Sequence, residues 1–265
     1  MVMLMNTKEY WEKRLKLFRS LEGVGCIGLG SYFNIYVYRA KVRTLERLAR
    51  KFRIPFTGKG VLDVGSGIGF WIDYYLSKGT SFVYGVDIAS EAIKYLTKKY
   101  ADHNNVELFE GDFSCLNINK RFDIVNVFDV AYHVVDDHLW IKFIENCCKH
   151  VKSGGFIFIT DTFKQDYREE ITYVKFRSLN AYRKVLRENG VKILSLAPMY
   201  SILGWPYTGK RDLDVVLTFF YSLSTQLYER FRPALKLAYY IDSCLTQFKA
   251  FGISMKLLVG QKGVN

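Results

Sequence analysis

Apolar and polar positions change their period along this chain, and the changes mark its elements. Over residues 6–19, "NTKEYWEKRLKLFR", the pattern reads as a capped amphipathic helix. A glycine-rich stretch follows, "GVGCIGLG" at 23–30, and then Val42, Leu45, Leu48 and Phe52 recur at helical spacing over 39–53. From Gly60 the period shortens. Apolar strands are predicted at 60–64, 82–87, 105–109, 122–128 and 155–160, with helical stretches at 69–78, 90–101 and 137–151 between several of them. A helix near 178–189 ends at Asn189-Gly190, a strand follows near 191–197, and "SMKLLVG" closes the chain as a last strand. That alternation predicts an α/β fold: a doubly wound, mostly parallel seven-stranded sheet with helices on both faces.

Residues 203–252 do not fit the alternation. They predict two consecutive helices, one with Leu213, Val216, Leu217, Phe220, Leu227 and Phe231 in phase, the other opened by Pro233. The stretch is rich in aromatic side chains, and such a hydrophobic face must be covered by core, subunit or substrate. The expected division is an N-terminal helical cap at 1–57, a core at 58–202 and 253–265, and an inserted lid or substrate wall at 203–252. That insertion is also a possible oligomer contact.

Composition narrows the class. A chain of 265 residues, 49% hydrophobic and 24% charged, can bury a full core. The N-terminus is too short for a signal-peptide core, and no uncharged apolar run reaches the length of a bilayer span. Cysteines 26, 115, 147, 148 and 244 lack metal-type spacing and read as buried free thiols in a reducing cytoplasm. The net charge of +12 is either a solvated basic surface or the mark of an anionic partner. Residues 39–53 hold seven basic side chains and one acidic, so that helix is a candidate for an anionic group or a membrane surface.

Two glycine stretches compete for a nucleotide. A glycine turn cradles one only between a strand and a helix, where free N–H groups point outward. Residues 23–30 follow a helix and read as a flexible loop. "VLDVGSGIGF" (61–70) passes: "KGVLDV" is a buried strand and "FWIDYYLSKG" opens a helix. Asp87 ends the next strand, where a carboxylate can accept from both ribose hydroxyls. Phe70 breaks the longer dinucleotide fingerprint, leaving a tight GxGxG turn suited to a nucleoside without phosphates.

"VLDVGSGIG", "VYGVDIASEAI", "ELFEGDF", "FDIVNVFDVAYHV" and "VKSGGFIFITD" together resemble the successive motifs of class I S-adenosylmethionine-dependent methyltransferases. The resemblance covers roughly residues 58–200 and a final strand. It implies S-adenosylmethionine as cofactor, with Gly65, Ser66, Gly67 and Gly69 under its methionine and ribose. Asp63 would help hold the ammonium, Asp87 the ribose, and Ile88 would lie against the adenine. Asp112 would accept from the adenine amino group, Phe113 would donate its N–H or pack on the ring, and Phe128 and Asp129 would offer carbonyls. Tyr10 and Trp11 on the first helix are candidates to cover the cofactor.

Methyl transfer from a sulfonium mainly requires alignment and exclusion of water. His133, after the fourth strand, is the candidate base for a hydroxyl nucleophile, with Tyr132 the weaker one. His133, Asp136, Asp137 and His138 could be drawn as a metal cluster, but Asp136 and Asp137 stand where a helix begins and read as caps, so no metal is expected. The chain lacks the Asn/Asp-Pro-Pro-Tyr signature of base-amine methylation, and nucleic acid is the minority partner. The acceptor expected is small or lipid-like with an apolar body, methylated on oxygen rather than nitrogen. An RNA-directed enzyme and a catalytically silent cofactor-binding protein, acting as sensor or assembly partner, stay open as alternatives.

Overall fold

The computed structural model describes residues 7–163, 173–206, 208, 210–248 and 254–264. The first residues of the expected cap (1–6), and 207, 209 and 249–252 of the expected insertion, lie outside them. Seven strands form one sheet: β1 (Gly60–Val64), β2 (Phe82–Asp87), β3 (Val106–Glu110), β4 (Phe122–Val127), β5 (Val151–Asp161), β6 (Val191–Pro198) and β7 (Lys256–Lys262). Their order is β3-β2-β1-β4-β5-β7-β6. Five run parallel, and β7 enters antiparallel to both β5 and β6.

The uninterrupted apolar runs follow from burial on both faces. All five residues of β1 are buried, Asp63 among them. Such strands cannot show polar alternation, because helices cover each side. Helices α3 (Phe70–Ser77), α4 (Ser90–Lys99), α5 (Asp137–His150) and α6 (Leu179–Glu188) connect them. The strand order reverses between β1 and β4, so the loops leaving these two strands diverge and open a crevice at their carboxyl ends.

Two helices precede the sheet, α1 (Thr7–Leu17) and α2 (Gly30–Phe52). The second begins well before the expected residue 39, because Asn34 is fully buried and ties down the glycine-rich loop. Asn34 Oδ1 accepts from the Cys26 N–H at 2.7 Å, and its amide donates to the Cys26 and Gly30 carbonyls at 2.9 and 2.8 Å. The stretch 23–30 is therefore a loop, as expected, but an anchored one rather than a flexible one.

The inserted helices are α7 (Arg211–Arg230) and α8 (Arg232–Leu245), with Pro233 in the first turn of α8. Here the packing inverts the expectation. The buried residues of α7 are Asp214, Tyr221, Thr225 and Tyr228, whereas Leu213, Val216, Phe220, Leu227 and Phe231 are exposed. The stripe singled out as a pocket wall faces away from the protein. Both faces of α7 repeat at helical spacing, so periodicity could not tell which one turns inward. Thiol burial is also uneven: Cys147 and Cys148 are buried on α5, but Cys115 and Cys244 are exposed.

Candidate active site

A cavity with about 900 Å3 of non-protein space, part of it continuous with solvent, occupies the crevice. The turn after β1 forms its floor through Gly65, Ser66 and Gly67; Asp87 and Ile88 follow β2, and Asp112 and Phe113 follow β3. Phe128, Asp129 and His133 come from the segment after β4, and Trp11 closes it from α1. Eleven of the residues picked from the sequence thus share one space, though they come from five separate segments.

The glycine turn depends on close approach. Gly65 has φ +78°, and a Cβ there would stand 2.1 Å from Val130 Cγ2. At Gly67, φ is +53° and a Cβ would meet Val24 Cγ1 at 2.9 Å. Val24 belongs to the first glycine-rich stretch. The loop that fails as a nucleotide turn is packed onto the one that passes.

Asp87 holds the turn in place. Its carboxylate accepts from the Gly67 N–H at 2.8 Å and the Ala89 N–H at 2.9 Å, leaving lone pairs on both oxygens for a ligand. Burial raises its pKa to about 6, against the lowering effect of those hydrogen bonds. Asp63 lies behind the turn. Asn126 donates to its Oδ1 at 2.7 Å, Oδ2 is buried without a partner, and burial raises its pKa to about 7. Asp112 is exposed and receives the Ser114 N–H at 2.8 Å. Among the described residues none of these three carboxylates is in an ion pair. Asp87 and Asp112 on the cavity wall, with Asp63 behind it, fit a ligand that brings positive charge, an amine and hydroxyls.

Helix α1 lies along one side of the cavity through Thr7, Trp11 and Leu15. The N-cap of α4 is Ala89, which offers no side-chain cap, and Glu12 supplies one from a distance: it accepts from the Ser90 and Glu91 N–H groups at 2.6 and 3.1 Å. Although burial opposes it, the Glu12 pKa is lowered by these bonds. Arg14 braces the other side, donating to Tyr10 and to the Gly25 carbonyl, with its guanidinium 4.9 Å from the Trp11 ring centre. Glu12 escaped the sequence reading because its partners are 78 and 79 residues along the chain.

His133 packs edge-on against Trp11, with ring centres 5.0 Å apart, and its Nδ1 lies 3.0 Å from the Tyr173 carbonyl. That carbonyl can only accept, so Nδ1 carries the proton and Nε2 keeps a free lone pair. Burial lowers the His133 pKa from its ordinary 6.5 to about 4. The near-neutral value expected for a base is thereby displaced, because the ring has lost its water. Asp136 caps α5 by accepting from the Leu139 N–H at 2.8 Å, and Asp137 pairs with Lys175 and Arg177.

Four predicted residues stand off the cavity wall. Asp63 lies behind it, and Gly69 turns toward Tyr100, whose hydroxyl donates to the Gly69 carbonyl at 3.0 Å. Tyr10 stacks on Tyr173 with ring centres 4.1 Å apart, while Tyr132 is half-buried beside His133 and Phe176. Lys41 was missed. It was read only as part of a basic helix, yet it is buried and donates to Asp129, with its Nζ 4.4 Å from the Tyr38 ring centre. It sits three, four and seven residues before Thr44, Leu45 and Leu48, which are buried on the same face. That spacing was a legible signal.

Residues 61–155 match the profile of a methyltransferase domain. The ubiquinone biosynthesis O-methyltransferase of Thiobacillus denitrificans is 30% identical over 188 residues, 62% of this chain and 78% of that one. The cypemycin N-terminal methyltransferase of a Streptomyces species is 30% identical over 118 residues, 43% of this chain and 46% of that one. The chain spans less than half the length of several curated relatives that it matches. In fold it is similar to the magnesium protoporphyrin IX methyltransferase of Synechocystis PCC 6803, with a TM-score of 0.58 at 13% identity, covering 97% of this chain and 98% of that one. The chain belongs to the class I S-adenosylmethionine-dependent methyltransferases. Its cofactor is S-adenosylmethionine.

Proposed function

We propose that this protein transfers a methyl group from S-adenosylmethionine to the oxygen of a small acceptor with an apolar body. The observation that carries the reading is the cavity with acidic groups at the carboxyl ends of β1, β2 and β4. The bound cofactor supplies an electrophilic methyl on a sulfonium, and the protein's work is binding, alignment and exclusion of water. Asp87 would take the ribose hydroxyls, Asp112 the adenine amino group, and Phe113 and Ile88 the ring faces. Asp63, behind Gly65 and Ser66, would favour the ammonium end through its charge. Trp11 would close the site, with residues 7–57 acting as its cap.

His133 supports the oxygen assignment. Its neutral ring offers Nε2 as an acceptor for a hydroxyl proton, and the Tyr173 carbonyl fixes the tautomer. Tyr132 packs on that ring with centres 4.5 Å apart and would hold its position. The name of the Thiobacillus relative points the same way. Transfer of labelled methyl from S-adenosylmethionine to fractions of a cell extract tests the proposal. Label in an apolar product that behaves as a methyl ether or ester is expected. Label in an amine would move the reaction to nitrogen, and label in RNA would make the enzyme RNA-directed. Tight cofactor binding without transfer to any fraction would refute the enzymatic reading in favour of a silent cofactor-binding protein.

A further inference from the structure

Helix α7 carries an apolar surface on its outside. Between Val215 and Tyr228 it has no Asp, Glu, Lys or Arg. Val216, Phe219, Phe220, Leu223 and Leu227 line one exposed face, and Phe219 and Phe220 are 61% and 60% exposed. Water gains nothing from such a surface, and each ring moved into an apolar medium is favourable. The inward face bears Asp214 and two tyrosines. Asp214 accepts from the Thr208 N–H, while Tyr221 and Tyr228 are buried in the main hydrophobic cluster, Tyr228 stacked on Phe33 of α2 with ring centres 6.3 Å apart. The helix is thus held by its buried tyrosines and presents its Phe, Leu and Val side outward.

We propose that this face docks on an anionic lipid membrane. A fourteen-residue uncharged run is too short to cross the hydrocarbon core, which takes about 20 residues, so the helix would lie along the interface. No helix among the described residues is long and apolar enough to cross a membrane. Charge selects the occupant. Arg230, Arg232 and Lys236 are exposed where α7 passes into α8, and the chain carries a net +12. A second copy would bring +12 against +12 and oppose these cations to one another. An anionic headgroup layer complements them, and their long stems reach it while the apolar face inserts. Trp205, 54% exposed beside Tyr221, supplies an aromatic ring suited to the headgroup level. The docking is independent of methyl transfer.

Flotation with vesicles of phosphatidylcholine, alone or mixed with phosphatidylglycerol, tests this on the whole chain. Binding to the mixed vesicles is expected, weaker at high salt and weaker still on the neutral ones. Phe219→Ser with Phe220→Ser should lower that binding roughly 30-fold or more, while calorimetric binding of S-adenosylhomocysteine stays unchanged. In the wild-type protein, brominated lipid should quench fluorescence that disappears in Trp205→Phe, a readout that needs no variant of α7. Three results would overturn the proposal: no flotation with either vesicle, equal flotation with both, or binding indifferent to the paired substitution. A dimer in sedimentation that the paired substitution dissolves, without vesicle binding, would assign the face to a second copy instead.

Discussion

Replacing Lys41 by Met isolates the carboxylate of Asp129, and burial sets the cost. The Lys41 side chain is 5% exposed and that of Asp129 is 16% exposed. Once the ammonium is gone, Asp129 keeps, among the described residues, the Thr160 hydroxyl, which donates at 3.2 Å. Breaking a buried pair from one side costs about 3–5 kcal/mol, and residual exposure puts this one near the lower end. Asp129→Asn leaves the ammonium stranded against Tyr38 at a similar cost. The backbone does not confound the comparison: Asp129 has φ +61°, a conformation that Asn adopts readily. The double variant removes both charges and should lie within about 1 kcal/mol of wild type. At roughly 2–4 °C per kcal/mol, each single variant should melt about 6–12 °C low and the double within a few degrees of wild type. Urea unfolding and calorimetry on all four proteins read the cycle. If the two single losses simply add in the double variant, the pair is not coupled and the reasoning is wrong.

Other expectations follow from the cavity. Asp87→Ala should weaken S-adenosylhomocysteine binding by about 1–3 kcal/mol in calorimetry, and NAD should not bind; unchanged affinity would sink the ribose assignment. Asp63 has a folded pKa near 7 against an ordinary 3.8, so the folded state holds its proton longer than the unfolded one. Stability is therefore lost as pH rises from about 4 to about 7, and Asp63→Asn should recover up to roughly 4 kcal/mol at pH 8 and far less at pH 5. The same carboxyl must give up its proton to meet a cation, so cofactor affinity should fall below pH 7. Glu12→Ala should cost about 1 kcal/mol through the lost cap on α4 and should speed release of the cofactor in stopped flow. His133→Ala should lower kcat about 100-fold or more with cofactor affinity nearly intact, and the acid limb of the wild-type profile should fall near pH 4 rather than 6.5.

Much of this molecule follows from local pattern alone. Near-continuous apolar runs such as "VLDV" and "FVYGVD" mark strands buried on both faces, and the helices between them can only cover the sheet. The glycine turn at 65–69 and Asp87 were legible because strand, turn and helix must follow one another closely for such a site to exist. Chain separation hid the rest. Glu12 caps a helix that begins at Ser90 and Val24 rests on Gly67; nothing within a few residues of either partner announces these contacts. The helical spacing of Lys41 marks it as inward-facing, but not that Asp129 is its partner. The ionisation of His133, Asp63 and Asp87 was likewise set by which water they lost on packing, a property of the assembled site. Helix α7 shows the limit most directly. Its sequence determines two faces of equal period, one apolar and one bearing Asp214, Tyr221, Thr225 and Tyr228. Only the packing of Tyr221 and Tyr228 into the core beside α2 decides that the second face turns inward and the apolar one is left outside.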